Sequence, residues 1–139
     1  MTTMSDILWY NNANGYSQVW LMDQNKIAKR QTVLGEDGKA LVVGLPWSVV
    51  GVGDFNQNGH ADILWHNTDT GHCQIWLMKD HRVTGRPTVV GEDGNPLLVG
   101  LPWSIVGVAS FSQDGKAGIL WHNANTRHIQ IWQMDRHQV

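Results

Sequence analysis

The sequence repeats itself every 56 residues, without a gap. Asp6-Ile-Leu-Trp9 recurs as Asp62-Ile-Leu-Trp65 and, with one change, as Gly118-Ile-Leu-Trp121. All eight tryptophans fall on three positions of this repeat: Trp9, Trp65 and Trp121; Trp20, Trp76 and Trp132; Trp47 and Trp103. The only two glutamates are also one position, in Gly35-Glu-Asp-Gly38 and Gly91-Glu-Asp-Gly94. The 139 residues read as one domain of two full units, 6–61 and 62–117, and a partial one, 118–139. About 31 of the 56 positions are identical between the two full units. A unit this short cannot bury its own apolar face and needs a neighbour of its own kind.

Within a unit the periodicity is that of strands. Asp62–Asn67 reads as a short apolar strand, here called position B. Asn67-Thr-Asp-Thr-Gly71 reads as a turn, and His72–Met78 as strand C, apolar on both faces. Arg86–Gly91 reads as a weaker strand D, followed by the tight-turn signal Glu92-Asp-Gly94. Leu101-Pro-Trp103 leads into Ser104–Phe111, strand A of the next unit. No window carries a 3.6-residue period. Tryptophan, valine, isoleucine and 15 glycines suit strands and turns. Strands apolar on both faces and repeated as a unit call for small sheets stacked face to face. The expected fold class is all-β, with four-stranded antiparallel sheets as the blades of a β-propeller.

Charge excludes one class of partner. Ten Lys+Arg against 12 Asp+Glu give a net charge of −2, and only 16% of residues are charged, which argues against nucleic acid. The apolar runs are too short to insert in a membrane. Met1–Ser5 has no basic region leading into an apolar stretch, so no secretory signal is expected. Cys73 is the only cysteine, which rules out an intrachain disulfide. The expected location is cytoplasmic, or outside the cell by a route without a classical signal.

Gly53-Asp-Phe-Asn56-Gln-Asn58-Gly59-His-Ala-Asp62-Ile-Leu-Trp65, continued by Gln74-Ile-Trp76-Leu-Met78, resembles the FG-GAP/VCBS repeat. That resemblance implies β-propellers, as in the integrin α-subunit head and in some lectins, with the Asp/Asn loop joining strand A to strand B. Such propellers usually have about seven blades in one chain, whereas this chain reads BCD, ABCD, ABC. It is expected to complete its ring with further copies of itself. Two copies supply six sheets, within the four-to-eight range of propellers, so a dimer is the first expectation and a trimer stays open.

Three sets of residues carry candidate chemistry. In the loop 54–62, oxygen side chains at Asp54, Asn56, Asn58 and Asp62 have a spacing that suits calcium, with Gly59 at the turn. Two carboxylates and two neutral amides point to a dissociation constant of about 10⁻⁴–10⁻³ M. The alternative is Asx side chains that merely shape the turn. The next loop, Ser110–Gly118, has lost both end carboxylates and gained Lys116, and in the first unit only Asp6 survives, so one weak site is expected at most.

The second set is the B–C hairpin, where Tyr10, His66 and His122 change type together with Tyr16, His72 and His128. If these positions face one another they form a cross-strand pair. The readings are a packing pair, a ligand contact or a weak His–His metal site. Asn11, Asn67 and Asn123 follow in all three units, and amide, imidazole and indole groups together suit a sugar. The third set is the tryptophans. Trp20, Trp76 and Trp132 read as core, while Trp9, Trp65, Trp121, Trp47 and Trp103 are the ring candidates for stacking on a sugar.

No Ser/His/acid set with a nucleophile turn and no glycine-rich phosphate loop appears. The expected function is therefore non-enzymatic: a lectin-like propeller for glycans, assembled from several copies. The alternatives are a structural or adhesion propeller that binds protein, and an excised or engineered propeller fragment.

Overall fold

The computed structural model describes residues 6–139; the N-terminal reading above, on residues 1–5, lies outside them. The described chain is all-β, with ten strands in three antiparallel meanders. The first sheet is β1 (Ile7–Tyr10), β2 (Ser17–Asp23) and β3 (Lys26–Thr32). The second is β4 (Trp47–Gly53), β5 (Asp62–Asn67), β6 (Cys73–Lys79) and β7 (Arg82–Gly85). The third is β8 (Trp103–Ala109), β9 (Gly118–Asn123) and β10 (Ile129–Gln133). In positions of the repeat these are BCD, ABCD and ABC. No helix among the described residues is long and apolar enough to cross a membrane.

The register repeats with the sequence. Ile7 pairs with Trp20, Ile63 with Trp76 and Ile119 with Trp132. Trp47 pairs with Asn67 and Trp103 with Asn123, and both A strands slip by one residue, at Val49/Gly51 and at Ile105/Gly107. Strand D differs from the sequence reading. It begins at Arg82, straight after a tight turn, and Arg86–Gly91 continues only as isolated bridges. In the first sheet the same strand runs on to Thr32. The difference lies at Pro87, which stands where the first unit has Gln31 and has no N–H for a ladder. The C–D turns place Gln24, Asp80 and Arg136 at φ of 57–59°. None of these is a glycine, so the turn carried no glycine signal.

The second sheet buries both faces because its neighbours on either side are copies of itself. Between the first and second sheets lie Val33, Ile63, Trp65, Trp76, Met78 and Val83, flanked by Leu8, Tyr10 and Val19. Between the second and third lie the equivalents Val89, Ile119, Trp121 and Met134, against Leu64, Cys73 and Ile75. All six residues of β5 are buried, while β1, at one end of the stack, alternates exposed and half-buried. Backbone bonds also cross between sheets. Leu34 N–H donates to His81 C=O and Val83 N–H to Leu34 C=O; Val90, His137 and Val139 repeat the pattern.

The A strands approach closely enough to exclude side chains. A Cβ on Gly51 would stand 2.4 Å from Cγ2 of Val108, and one on Gly53 2.8 Å from Cγ1 of the same residue. The equivalent of Gly51 in the third sheet, Gly107, has nothing within 4 Å. Gly51→Ala should therefore cost about 1–3 kcal/mol as overpacking, and Gly107→Ala much less. Thermal unfolding of the two variants checks this, and equal losses would contradict the packing described.

Candidate functional site

Most of the hairpin cluster is consumed by the fold. The side-chain oxygen of Asn67 accepts the N–H groups of Asp69 and Thr70, both at 3.0 Å. Asn123 does the same for Asn125 and Thr126, and Asn11 for Ala13 and Asn14. These are Asx turns closing the B–C hairpin, with Gly15 and Gly71 in the left-handed region four residues on. Tyr10, His66 and His122 do not pair with Tyr16, His72 and His128. Their cross-strand partners are Ser17, Cys73 and Ile129, one residue further on and hence on the other face of the strand. His72 is held in the turn, its Nδ1 2.8 Å from the Thr70 hydroxyl.

Tyr10 and His66 are instead joints between sheets. The Tyr10 hydroxyl donates to the carbonyl of Val43. Nε2 of His66 lies 2.8 Å from the carbonyl of Val99, the equivalent of Val43 in the next unit, so Nε2 carries the proton, since a carbonyl only accepts. Each ring also stands at right angles to the tryptophan of the next sheet: Tyr10 against Trp65 at 5.1 Å and His66 against Trp121 at 5.6 Å. Trp65 and Trp121 are each 1% exposed, whereas Trp9 is 50% exposed.

Trp76 is buried, as read from the sequence, and Trp20 and Trp132 are half-buried. Each makes a tilted pair with the tryptophan of strand B, with centroids 4.7–4.9 Å apart. Each donates its indole N–H to a glutamine two residues before it: Gln18, Gln74 and Gln130. Arg30 and Arg86 lie over the rings of Trp20 and Trp76. Arg86 also grips Glu36 of the preceding unit at 2.8 and 3.1 Å, and this hydrogen bond holds the Glu36 carboxyl below its ordinary range.

These groups border an open groove of about 370 Å³ between the first and second sheets. Its walls are Trp47, Trp65, Gln74, Trp76 and Arg86, and the connection Val42–Gly44 closes one side. Trp65 lines this groove and its indole N–H is buried without an acceptor; that of Trp121 is equally unpaired one unit on. Trp47 and Trp103 are half-buried and pack against the two inter-sheet cores. Sequence reasoning chose Trp47 and Trp65 but missed Gln74 and Arg86. The available signal was the Gln-x-Trp spacing, which recurs at every unit.

The 54–62 loop is stitched by its own side chains. The two Asp54 oxygens accept the N–H groups of Asn58 and Gly59, and the Asn58 oxygen accepts that of His60. Asp62, fully buried, accepts from Phe55 and Met78. Burial raises its carboxyl above the ordinary range, the two N–H groups pull it back, and the Asp54 charge adds to the rise. Asp6 repeats the bond to strand C, on Met22, so this carboxylate is part of the sheet in two units. Only the Asn56 oxygen is buried without a partner. Of the four residues with calcium-like spacing, Asp54, Asn58 and Asp62 already accept backbone N–H groups, and Asn56 does not. Among the described residues no group of three or more His, Cys, Asp or Glu side chains is placed to hold a metal. Cys73 is buried in the core, which pushes its thiol up to about 12.

No protein-family model, curated protein or solved structure matches the chain.

A loop already satisfied by its own backbone gains little from a cation. With a dissociation constant near 10⁻³ M, about 2 mM calcium adds less than about 1 kcal/mol. Melting curves in calcium and in excess chelator should therefore differ by only a few degrees; a shift above about 10 °C would make the loop a structural metal site.

Proposed function

We propose that the chain is a non-enzymatic, lectin-like propeller segment of the FG-GAP/VCBS kind, whose ring is completed by further copies and whose inter-sheet grooves bind glycans. The observation that carries this reading is the buried, unpaired indole N–H of Trp65 beside the Trp47–Gln74–Arg86 groove, with the same orphan at Trp121. An unpaired buried donor is costly, and a hydroxyl oxygen of a bound sugar satisfies it. Trp47 offers an aromatic face for the apolar side of a pyranose. Gln74 and Arg86 supply amide and guanidinium donors for the remaining hydroxyls. The sugar site therefore centres on Trp47, Trp65 and Gln74 and on their equivalents Trp103, Trp121 and Gln130. His66, Asn67 and Asn123 support it from the hairpin without touching the ligand.

The propeller reading draws on the stacking of three sheets through equivalent residues. Shallow grooves repeated on one rim bind weakly one at a time and gain about 10²–10⁴ in avidity on a glycan-coated surface.

Binding to a glycan array tests this reading directly. The protein should retain one class of saccharide, and the double variant Gln74→Ala/Gln130→Ala should lose at least about tenfold in affinity, the scale of one or two hydrogen bonds. Its far-ultraviolet strand signal should be unchanged, while the near-ultraviolet signal shifts with the lost acceptors of Trp76 and Trp132. An array on which nothing binds removes the glycan reading and leaves the protein-binding adhesion repeat in its place.

A further inference from the structure

The two ends of the stack expose complementary copies of the chain's own interior. Every inter-sheet contact joins an outgoing face to an incoming one. The outgoing face carries Leu8, Tyr10 and Val19 in the first unit and Leu64, His66 and Ile75 in the second. The incoming face carries Ile63, Trp65 and Trp76 in the second unit and Ile119, Trp121 and Trp132 in the third. Two positions of this series have no partner among the described residues. On the first sheet the incoming face is open: Ile7 is 39%, Trp9 50% and Ile27 37% exposed. On the third the outgoing face is open: Ile129 is 65% and Ile131 46% exposed, with His122 half-buried beside them. Ile129 stands opposite His122 in the ladder, so both lie on one face.

We infer that the third sheet of one copy stacks on the first sheet of a second copy, head to tail, with His122 standing on the partner copy's Trp9 as His66 stands on Trp121. The occupant is a second copy because the seam continues an interface already made twice. Leu120, His122 and Ile131 are the outgoing residues of that interface, and Ile7, Trp9 and Trp20 are the incoming ones. The equivalent residues at the internal interfaces, such as Trp65 and Ile75, are buried to within 1% of completely. Exposed apolar surface of this kind on both ends favours association. The contact is heterologous, which gives a ring where the rotation closes. The inference rests on the propeller reading for the number of copies alone; it predicts two, since two copies supply six sheets.

Complementation of blocked ends separates this arrangement from any other. The unsubstituted protein should have a mass of about 31 kDa in light scattering, twice the 15.6 kDa of one copy. Trp9→Glu blocks the incoming face and Ile131→Glu the outgoing face, and each variant alone should run as a monomer. Mixed in equal amounts, the open face of each meets the open face of the other, and a one-to-one pair should form. Ile7→Glu and Ile129→Glu form a second such pair, used wherever a first variant loses its far-ultraviolet strand signal. A monomeric unsubstituted protein, a mixture that stays monomeric, or a Trp9→Glu effect that Ile131→Glu does not share would overturn the inference. The glycan array reads a different surface, so failure of the sugar site leaves the seam standing, and failure of the seam leaves the internal groove.

Discussion

One contact, made twice, organises this molecule: the polar ring at the end of strand B set at right angles to the buried tryptophan of the next sheet. Tyr10 on Trp65 and His66 on Trp121 do the same work with different chemistry. Both rings also reach a carbonyl of the connection between units, at Val43 and Val99. The joint therefore fixes the next sheet and the chain leading to it together. Each tryptophan so buried removes about 150–250 Å² from water, worth up to about 4–6 kcal/mol at about 25 cal/mol per Å². Trp76, buried in the same core as Trp65, adds a contribution of the same size.

Polar groups divide by whether the fold has used them. Asn11, Asn67 and Asn123 look like ligand-binding amides in the sequence, yet each closes its own hairpin. Asp62 looks like a metal ligand, and its buried carboxylate accepts from strand C and from the loop before strand B. The groups left over are Trp65 and Trp121, whose indole N–H has no acceptor, Asn56 in the loop, and Nδ1 of His81 in the C–D turn. Unspent hydrogen-bonding capacity beside an open groove is a better pointer to a ligand than polarity alone. It moves the candidate glycan site from the hairpin tips to the groove between sheets.

The strand order was legible because the repeat aligns each strand with its copies. The assignments at Asp62–Asn67, at strand C and at strand A hold to within one or two residues. Strand D was misplaced because its turn uses Asp80 in a left-handed conformation without a glycine, and because Pro87 breaks only one copy of the strand. The pairing of Tyr10 with Tyr16 failed by a single residue of register, which moves a side chain to the opposite face. Gln74 and Arg86 escaped notice because their role depends on which face of strand C meets the neighbouring sheet. That information lies in the packing of one unit on the next.

Small-angle X-ray scattering of the intact protein measures whether this stacking continues beyond one chain. Two copies closed head to tail, 278 residues in all, should give a radius of gyration of about 19 Å that does not change with concentration. A radius of about 14 Å, that of 139 residues alone, would show that the exposed faces of Trp9 and Ile131 remain in water, and would contradict the stacked arrangement at its root.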